Sequence, residues 1–159
     1  MVALLDSGAR TDVADVNGEY VLFTCMDELR GKPLWIEAVR LLLSRGAPLL
    51  AKGRYGTTAE EYVEWMRNNA YDDRLYDKTW QLLRDVRLAG GWKRYANAPR
   101  ASLLILRELC NRGRAAPPPE LAALFCTSSD NARRTRKALP TPVFWHVLGY
   151  WRSDRDAIA

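Results

Sequence analysis

An internal repeat constrains the fold of this chain more than any other feature of its sequence. The segment Leu4 to Ala9 (Leu-Leu-Asp-Ser-Gly-Ala) recurs as Leu42 to Ala47 (Leu-Leu-Ser-Arg-Gly-Ala), so that Gly8 of one copy corresponds to Gly46 of the next. A second landmark keeps the same offset, because the dipeptides Asn17-Gly18 and Tyr55-Gly56 occupy the same place in the two copies. Self-similarity at a period of about 20 to 50 residues is typical of arrays of stacked units. We therefore predict a short array of repeated units.

Each part of the repeated unit has a local explanation. Before Gly46, apolar residues with i, i+3, i+6, i+7 spacing define one helix face that a neighbour must cover: Ile36, Val39, Leu42 and Leu43. Gly46 ends this helix, because glycine adopts positive φ without steric cost. The extended stretch Pro48 to Lys52 then leads into a turn and a new helix. Asn17-Gly18 fits a two-residue hairpin turn with positive φ at both central positions, whereas Tyr55-Gly56 favours another turn type.

This order of helix, glycine, extended hairpin, turn and new helix resembles the ankyrin repeat, whose usual period is about 33 residues. The resemblance covers residues 2–66. The period is longer here, and we place the excess at Asp27 to Pro33, a polar segment between the two helices of the repeat. The family's Thr-Pro-Leu-His signature is replaced by Tyr20 to Phe23 (Tyr-Val-Leu-Phe) and by Thr58 to Glu61 (Thr-Ala-Glu-Glu). The resemblance implies an all-α fold, a solenoid of helix pairs with hairpin loops.

The predicted organisation has four parts. Residues 1–91 form ankyrin repeats, of which the first is partial and the third is degenerate, with its second helix over residues 75–89 and a stop at Gly90-Gly91. A helical cap over 92–126, a basic linker over 127–138 and a C-terminal amphipathic helix over 139–152 follow. An upstream repeat would normally cover the apolar edge at Met1, which is compatible with a fragment or a shortened gene model.

The C-terminal third carries two apolar helical patterns. From Ala101, apolar residues are dense enough to predict a helix buried between neighbours, which Asn111 to Gly113 ends. Thr141 as N-cap and Pro142 at the first helical position predict a second helix. The residues of this helix that would contact a partner are Phe144, Trp145, Leu148 and Trp151.

Leu139-Pro140 before that helix is similar to the opening of an F-box, and Leu106 and Cys110 followed by Leu139-Pro140 resemble a suppressor-of-cytokine-signalling box. Both resemblances imply recruitment of a ubiquitin-ligase scaffold, and the alternative is a structural cap. The whole arrangement is also similar to divergent ankyrin proteins of protists and algae that end in a Phe-Trp-His helix.

Charge is divided unevenly along the chain. The formal net charge is +5, and it separates into −2 over residues 1–70 (8 basic, 10 acidic) and +7 over residues 71–159 (16 basic, 9 acidic). The basic half includes Trp92 to Tyr95 (Trp-Lys-Arg-Tyr) and a cluster from Arg133 to Lys137. Such segments attract nucleic acid or an acidic partner, but a solvated surface is the simpler interpretation. We rank nucleic-acid binding below protein binding.

Composition and motifs argue against catalysis. The sequence has no phosphate-binding glycine motif, no Gly-x-Ser-x-Gly and no metal-spaced His and Cys set. Cys25, Cys110 and Cys126 are predicted to be reduced thiols, and His146 lies among large apolar residues, so a Cys126–His146 pair is a poor catalytic candidate. We expect no enzyme activity, no cofactor and no metal.

The absence of a signal peptide or a spanning apolar run predicts an intracellular protein, cytoplasmic or nuclear, that does not enter a membrane. The preferred hypothesis is therefore a scaffold that binds a protein partner through its repeats. Ankyrin solenoids bind through hairpin tips and inner helices, which would place the following residues at the interface: Asp12, Asp15, Asn17, Glu19, Lys52, Arg54 and Tyr55.

Overall fold

The described part of the chain is all-helical. The computed structural model describes residues 2–30, 32–69 and 74–116, together with Phe125, Val143 and Phe144. These ranges contain six α-helices and no strand: α1 (Val2–Asp6), α2 (Val21–Glu28), α3 (Trp35–Ser44), α4 (Ala59–Asn69), α5 (Arg74–Leu88) and α6 (Trp92–Asn111). The prediction of an all-α fold is confirmed for this part. Residues 1–95 belong to one compact unit and residues 96–157 to a second.

The backbone structure repeats at the same offset that relates Gly8 to Gly46 in the sequence. Isolated antiparallel bridges pair Ala14 with Tyr20 and, one offset later, Lys52 with Thr58. The same glycine stop follows α1, α3 and α5: the three glycines concerned, Gly8, Gly46 and Gly90, have φ of 90°, 88° and 76°. Each is followed by an amide that bonds a carbonyl five residues earlier, at 2.9 to 3.0 Å. The first unit therefore repeats one local design: a helix, a glycine stop, a bridged turn and a new helix.

The two turns between these helices have the same geometry. In the first, Gly18 N bonds Asp15 O at 3.0 Å and Asp15 N bonds Glu19 O at 2.8 Å. The second turn has the same two bonds: Gly56 N bonds Gly53 O at 2.9 Å, and Gly53 N bonds Thr57 O at 3.0 Å. Such a pattern defines a three-residue loop that ends in a positive-φ glycine. The expectation of a two-residue turn at Asn17-Gly18 was therefore wrong. Tyr55-Gly56 does use another turn type, and the first turn shares it.

The core of the first unit lies between the helices of successive copies. Helix α2 packs on α3, α4 packs on α5, and α3 packs on α5. Trp35, which is fully buried, meets Tyr76 edge to face with ring centroids 4.9 Å apart. The segment that follows α1 is joined to the end of α3 by a hydrogen bond of 2.9 Å from Thr11 Oγ1 to Arg45 O. Helix packing therefore joins successive copies, and a hydrogen bond also joins the first copy to the second.

The third copy is followed at once by another helix. Gly90 and Gly91 both have positive φ, and α6 begins at Trp92 without an intervening bridged turn. The apolar pattern predicted a helix only from Ala101, but α6 already starts at Trp92 and continues through Pro99. Its apolar residues are also less buried than expected, since Ile105 is 62% exposed and the leucines of α6 are only partly buried. Asn111 ends the helix as predicted, with Gly113 at a φ of 65°.

Candidate protein-binding face

The first predicted tip uses most of its polar groups to hold its own turn. Asp15 Oδ1 accepts hydrogen bonds from Asn17 N at 2.9 Å and from Glu19 N at 2.8 Å. These bonds, with that from Glu19 first, lower the pKa of the Asp15 carboxyl. Asp12 is exposed and accepts two hydrogen bonds from Arg10. The side chains of Asp12 and Asp15 therefore already have partners within the chain.

The second tip differs in having no carboxylate at the corresponding position, which is Gly53. Lys52 and Tyr55 are exposed at the surface of this turn. The Arg54 guanidinium lies 4.8 Å from the centroid of the Tyr55 ring and 3.9 Å from the Glu19 carboxylate. Arg54 therefore contacts both Tyr55 and Glu19, and Glu19 links the two turns.

A capping box fixes the helix that follows the second turn. Glu61 Oε2 accepts hydrogen bonds from Thr58 N at 2.7 Å and from Thr58 Oγ1 at 2.9 Å. The Thr-x-x-Glu spacing is the usual signature of this arrangement, and sequence reasoning did not use it. Helix α2, by contrast, begins after Tyr20 without a side-chain cap. Helix α4 therefore has the better defined start.

A pocket of about 620 Å³ lies between the second turn and the helices α2 and α4. It is lined by Asp27, Arg30, Arg54, Tyr55, Thr57, Tyr62 and Trp65. Of the predicted tip residues, only Arg54 and Tyr55 belong to it, and Glu19 reaches it through its ion pair with Arg54. Asp12, Asp15, Asn17 and Lys52 do not line it. The pocket therefore contains two of the predicted tip residues and five residues that were not predicted.

Aromatic rings and charged groups alternate around this pocket. Tyr55 is 65% exposed and Trp65 is 59% exposed, and Trp65 stacks on Tyr62 with an interplanar angle of 17°. The Tyr62 hydroxyl donates a hydrogen bond to the Asp27 carboxylate. Burial first, and then this carboxylate, raise the pKa of Tyr62 above its ordinary value. Tyrosine, tryptophan and arginine side chains are the ones that most often dominate binding energy at protein interfaces.

The second unit buries one of the predicted partner residues. Phe144 is 2% exposed and meets Phe125 edge to face, with centroids 6.1 Å apart. The Arg107 guanidinium lies 3.9 Å from the centroid of the Phe144 ring. Partly buried residues of α6 complete the cluster: Leu103, Leu104, Leu106 and Cys110. Phe144 therefore stabilises its own unit, while Trp145, Leu148 and Trp151 lie outside the described residues.

The basic-aromatic segment Trp92 to Tyr95 also serves the core. Tyr95 is 8% exposed, and its ring lies 5.5 Å from that of Trp92 between centroids. Only Lys93 and Arg94 are exposed. The two rings that the nucleic-acid hypothesis needs for base stacking are therefore engaged within the first unit. The basic cluster Arg133 to Lys137 lies outside the described residues.

Side chains that could ligate a metal are dispersed in the part of the chain that the structure describes. Nowhere in these ranges do three or more His, Cys, Asp or Glu side chains come together as metal ligands would. Cys25 is a free, buried thiol whose pKa is raised to about 11 by burial, and Cys110 is free and partly buried. Cys126 and His146 lie outside the described residues.

The chain matches no model of a known protein family, and neither a curated protein nor a solved structure shows significant similarity to it. Within residues 2–30, 32–69 and 74–116, no helix combines the length and the apolar character that crossing a bilayer requires.

Proposed function

We propose that residues 1–91 are a short ankyrin-type repeat array that binds a protein partner. Support comes from the repeated order of helix, glycine stop and bridged turn, which keeps one constant offset between the first two turns. Repeat arrays of this kind use the turns and the helices next to them as a binding surface. The pocket between the second turn, α2 and α4 occupies such a surface.

The exposed pair Tyr55 and Trp65 is the observation that carries the proposal. Both rings are more than half exposed and line one pocket, and contact with a partner would remove their apolar surface from water. Arg30 and Arg54 lie beside them in the same pocket. This combination of rings and guanidinium groups is typical of the few residues that contribute most of an interface's affinity.

Affinity purification with quantitative mass spectrometry tests the proposal. Three forms of the full chain are compared: the natural sequence, the double variant Tyr55→Ala with Trp65→Ala, and the control Leu34→Ala. Leu34 is 69% exposed and lies between α2 and α3, outside the pocket. Truncation of an interface anchor costs at least about 2 kcal/mol, roughly thirtyfold in affinity.

We expect specific partners to be captured by the natural sequence and by Leu34→Ala, and to be lost from the double variant. Circular dichroism must show equal helix content in all three proteins. Equal capture of the same partners by all three would contradict the proposal.

Recruitment of a ubiquitin-ligase scaffold through residues 139–152 rests on the sequence resemblance alone. Burial of Phe144 favours the capping role for that residue, because a side chain 2% exposed cannot contact a partner without leaving its cluster.

A further inference from the structure

The two bridged turns provide a direct comparison between an occupied and an unoccupied hydrogen-bonding site. In the first turn, the Asp15 carboxylate accepts hydrogen bonds from the amides of Asn17 and Glu19. The equivalent amides of the second turn belong to Tyr55 and Thr57. The two loop bonds are 3.0 and 2.8 Å long in the first turn and 2.9 and 3.0 Å long in the second, and Gly18 and Gly56 have φ of 77° and 74°. The two amides therefore converge in the second turn as they do in the first.

The second turn cannot supply its own carboxylate. Its residue at the Asp15 position is Gly53, and a Cβ atom there would lie 2.9 Å from the ring of Phe23. Within the described ranges, no group accepts a hydrogen bond from Tyr55 N or Thr57 N. Loop amides that point to one side of a turn can bind an anionic group, as the amides of Asn17 and Glu19 do with the Asp15 carboxylate.

Further donors surround these amides. Arg54 belongs to the same turn, its side chain is 47% exposed, and its ion pair with Glu19 is long at 3.9 Å. A guanidinium has five N–H donors, so this pair leaves several of them unused. Thr57 Oγ1 is buried and has no hydrogen-bond partner among the described groups, and Thr57 lines the pocket.

The charge of the pocket favours an anion over a cation. Its charged lining residues are Arg30, Arg54 and Asp27, and the single carboxylate is already engaged by the Tyr62 hydroxyl. The lining therefore carries two guanidinium groups and one carboxylate, and Glu19 pairs with Arg54 at the edge of the pocket. An acidic group that approaches the second turn meets these positive charges and the amide donors together.

We propose that the second turn binds a carboxylate of the partner, an aspartate or glutamate side chain, through the amides that correspond to those bonded by the Asp15 carboxylate in the first turn. Tyr55 N and Thr57 N donate to it, and Arg54 supplies the opposite charge. The identity of the ligand as part of a protein rests on the function proposed above. The exposed rings of Tyr55 and Trp65 lie beside this position and receive an apolar neighbour of the acidic residue.

Nuclear magnetic resonance of the uniformly ¹⁵N-labelled full chain tests this inference without a known partner. The probe is N-acetyl-aspartate N-methylamide, and its uncharged match is N-acetyl-asparagine N-methylamide. We expect the amide resonances of Tyr55 and Thr57 to shift with saturation on addition of the aspartate probe at low ionic strength. The amides of Asn17 and Glu19 are the internal control, because Asp15 already occupies their site.

Two variants sharpen the test. Arg54→Gln removes the opposite charge and is expected to weaken the apparent affinity for the aspartate probe at least threefold. Arg10→Gln removes the same charge beside the first turn, where Arg10 is paired with Asp12, and is expected to leave that affinity unchanged. Unmoved resonances at Tyr55 and Thr57, equal shifts with the asparagine probe, or equal shifts in both turns would overturn the inference.

The outcomes separate this inference from the proposed function. If capture of partners depends on Tyr55 and Trp65 but the amide resonances of Tyr55 and Thr57 do not shift, the carboxylate site is overturned and protein binding stands. Saturable shifts in a protein that captures no such partner would support the carboxylate site and contradict the proposed function.

Discussion

A Cβ atom on Gly53 would lie 2.9 Å from two carbons of the Phe23 ring, so the backbone of the second turn packs directly on a buried side chain of α2. Phe23 is 3% exposed and cannot move into solvent without loss of apolar burial. Gly53→Ala therefore forces the ring or the turn to shift, and overpacking of this kind costs about 1 to 3 kcal/mol. We expect the free energy of unfolding, measured in denaturant, to fall by that amount.

A double-mutant cycle identifies the cause of that loss. In the background Phe23→Leu, the smaller side chain leaves room for the added methyl group. The cost of Gly53→Ala should then be clearly smaller than in the natural sequence. An unchanged cost would show that contact with Phe23 is not the reason for glycine at this position.

The contact between Thr11 and Arg45 gives a second prediction. Thr11 is 4% exposed, and its Oγ1 donates to Arg45 O across 2.9 Å. Thr11→Val keeps the shape of the side chain but removes the donor, which should cost about 1 kcal/mol in unfolding free energy. Thr24→Val, at an exposed position of α2, is the matched control and should change little. Equal losses in both variants would deny the hydrogen bond a role in joining the copies.

The capping box at the start of α4 predicts a dependence of stability on pH. Hydrogen bonds from Thr58 N and Thr58 Oγ1 lower the pKa of the Glu61 carboxyl. A lowered pKa in the folded state means that the ionised carboxylate stabilises the fold. That contribution is complete above the unfolded pKa of about 4.3 and is lost as the pH falls through the lower folded value.

Thermal unfolding at a series of pH values tests this dependence. The natural sequence should be more stable than Glu61→Gln near neutral pH, and the gap should narrow between about pH 4.3 and more acidic values. Glu64→Gln, on the same helix, is the control, because Glu64 has no hydrogen bond or ion pair among the described residues. A gap that stays constant with pH would contradict the capping role.

Sequence reasoning succeeded where a structural signal is local and repeated. Gly8 and Gly46 stop their helices because only glycine adopts a φ near 90° at no steric cost, and this can be read from one segment at a time. The prediction of a two-residue turn at Asn17-Gly18 was wrong for a related reason. Asn-Gly suits several loops, and the choice of a three-residue loop depends on which amides pair across it.

The pocket could be predicted only in part. Arg54 and Tyr55 lie in a turn, and turns of repeat arrays are expected to bind. Asp27 and Trp65 are far apart in sequence, and their meeting depends on how α2 packs beside α4. No local pattern encodes that packing. The capping box at Thr58 and Glu61, in contrast, is visible in the sequence, but this segment was interpreted only as a departure from the Thr-Pro-Leu-His signature.

Phe144 provides a prediction for the second unit. Phe144→Ala removes a side chain that contacts Phe125 and lies under the Arg107 guanidinium, and truncation of a buried phenylalanine costs about 3 to 5 kcal/mol. We expect faster amide hydrogen exchange in peptides that cover residues 103–110. Val143→Ala, at a position 43% exposed, should leave exchange there nearly unchanged. Equal exchange in both variants would refute a structural role for Phe144.

The hydrogen bond from Tyr62 to Asp27 predicts a loss of stability at alkaline pH. Burial and the Asp27 carboxylate raise the pKa of Tyr62 in the folded state, so the stabilisation from the neutral phenol is complete below the unfolded pKa of about 10 and is lost as the pH rises through the folded value. Unfolding free energy should therefore decline more steeply above about pH 10 in the natural sequence than in Tyr62→Phe, which has no ionisable group at this position. Asp27→Asn should lower the pKa of Tyr62 in an ultraviolet difference titration without returning it to the ordinary value, because burial is the larger cause. Parallel alkaline declines in the natural sequence and Tyr62→Phe would contradict this account of the pocket.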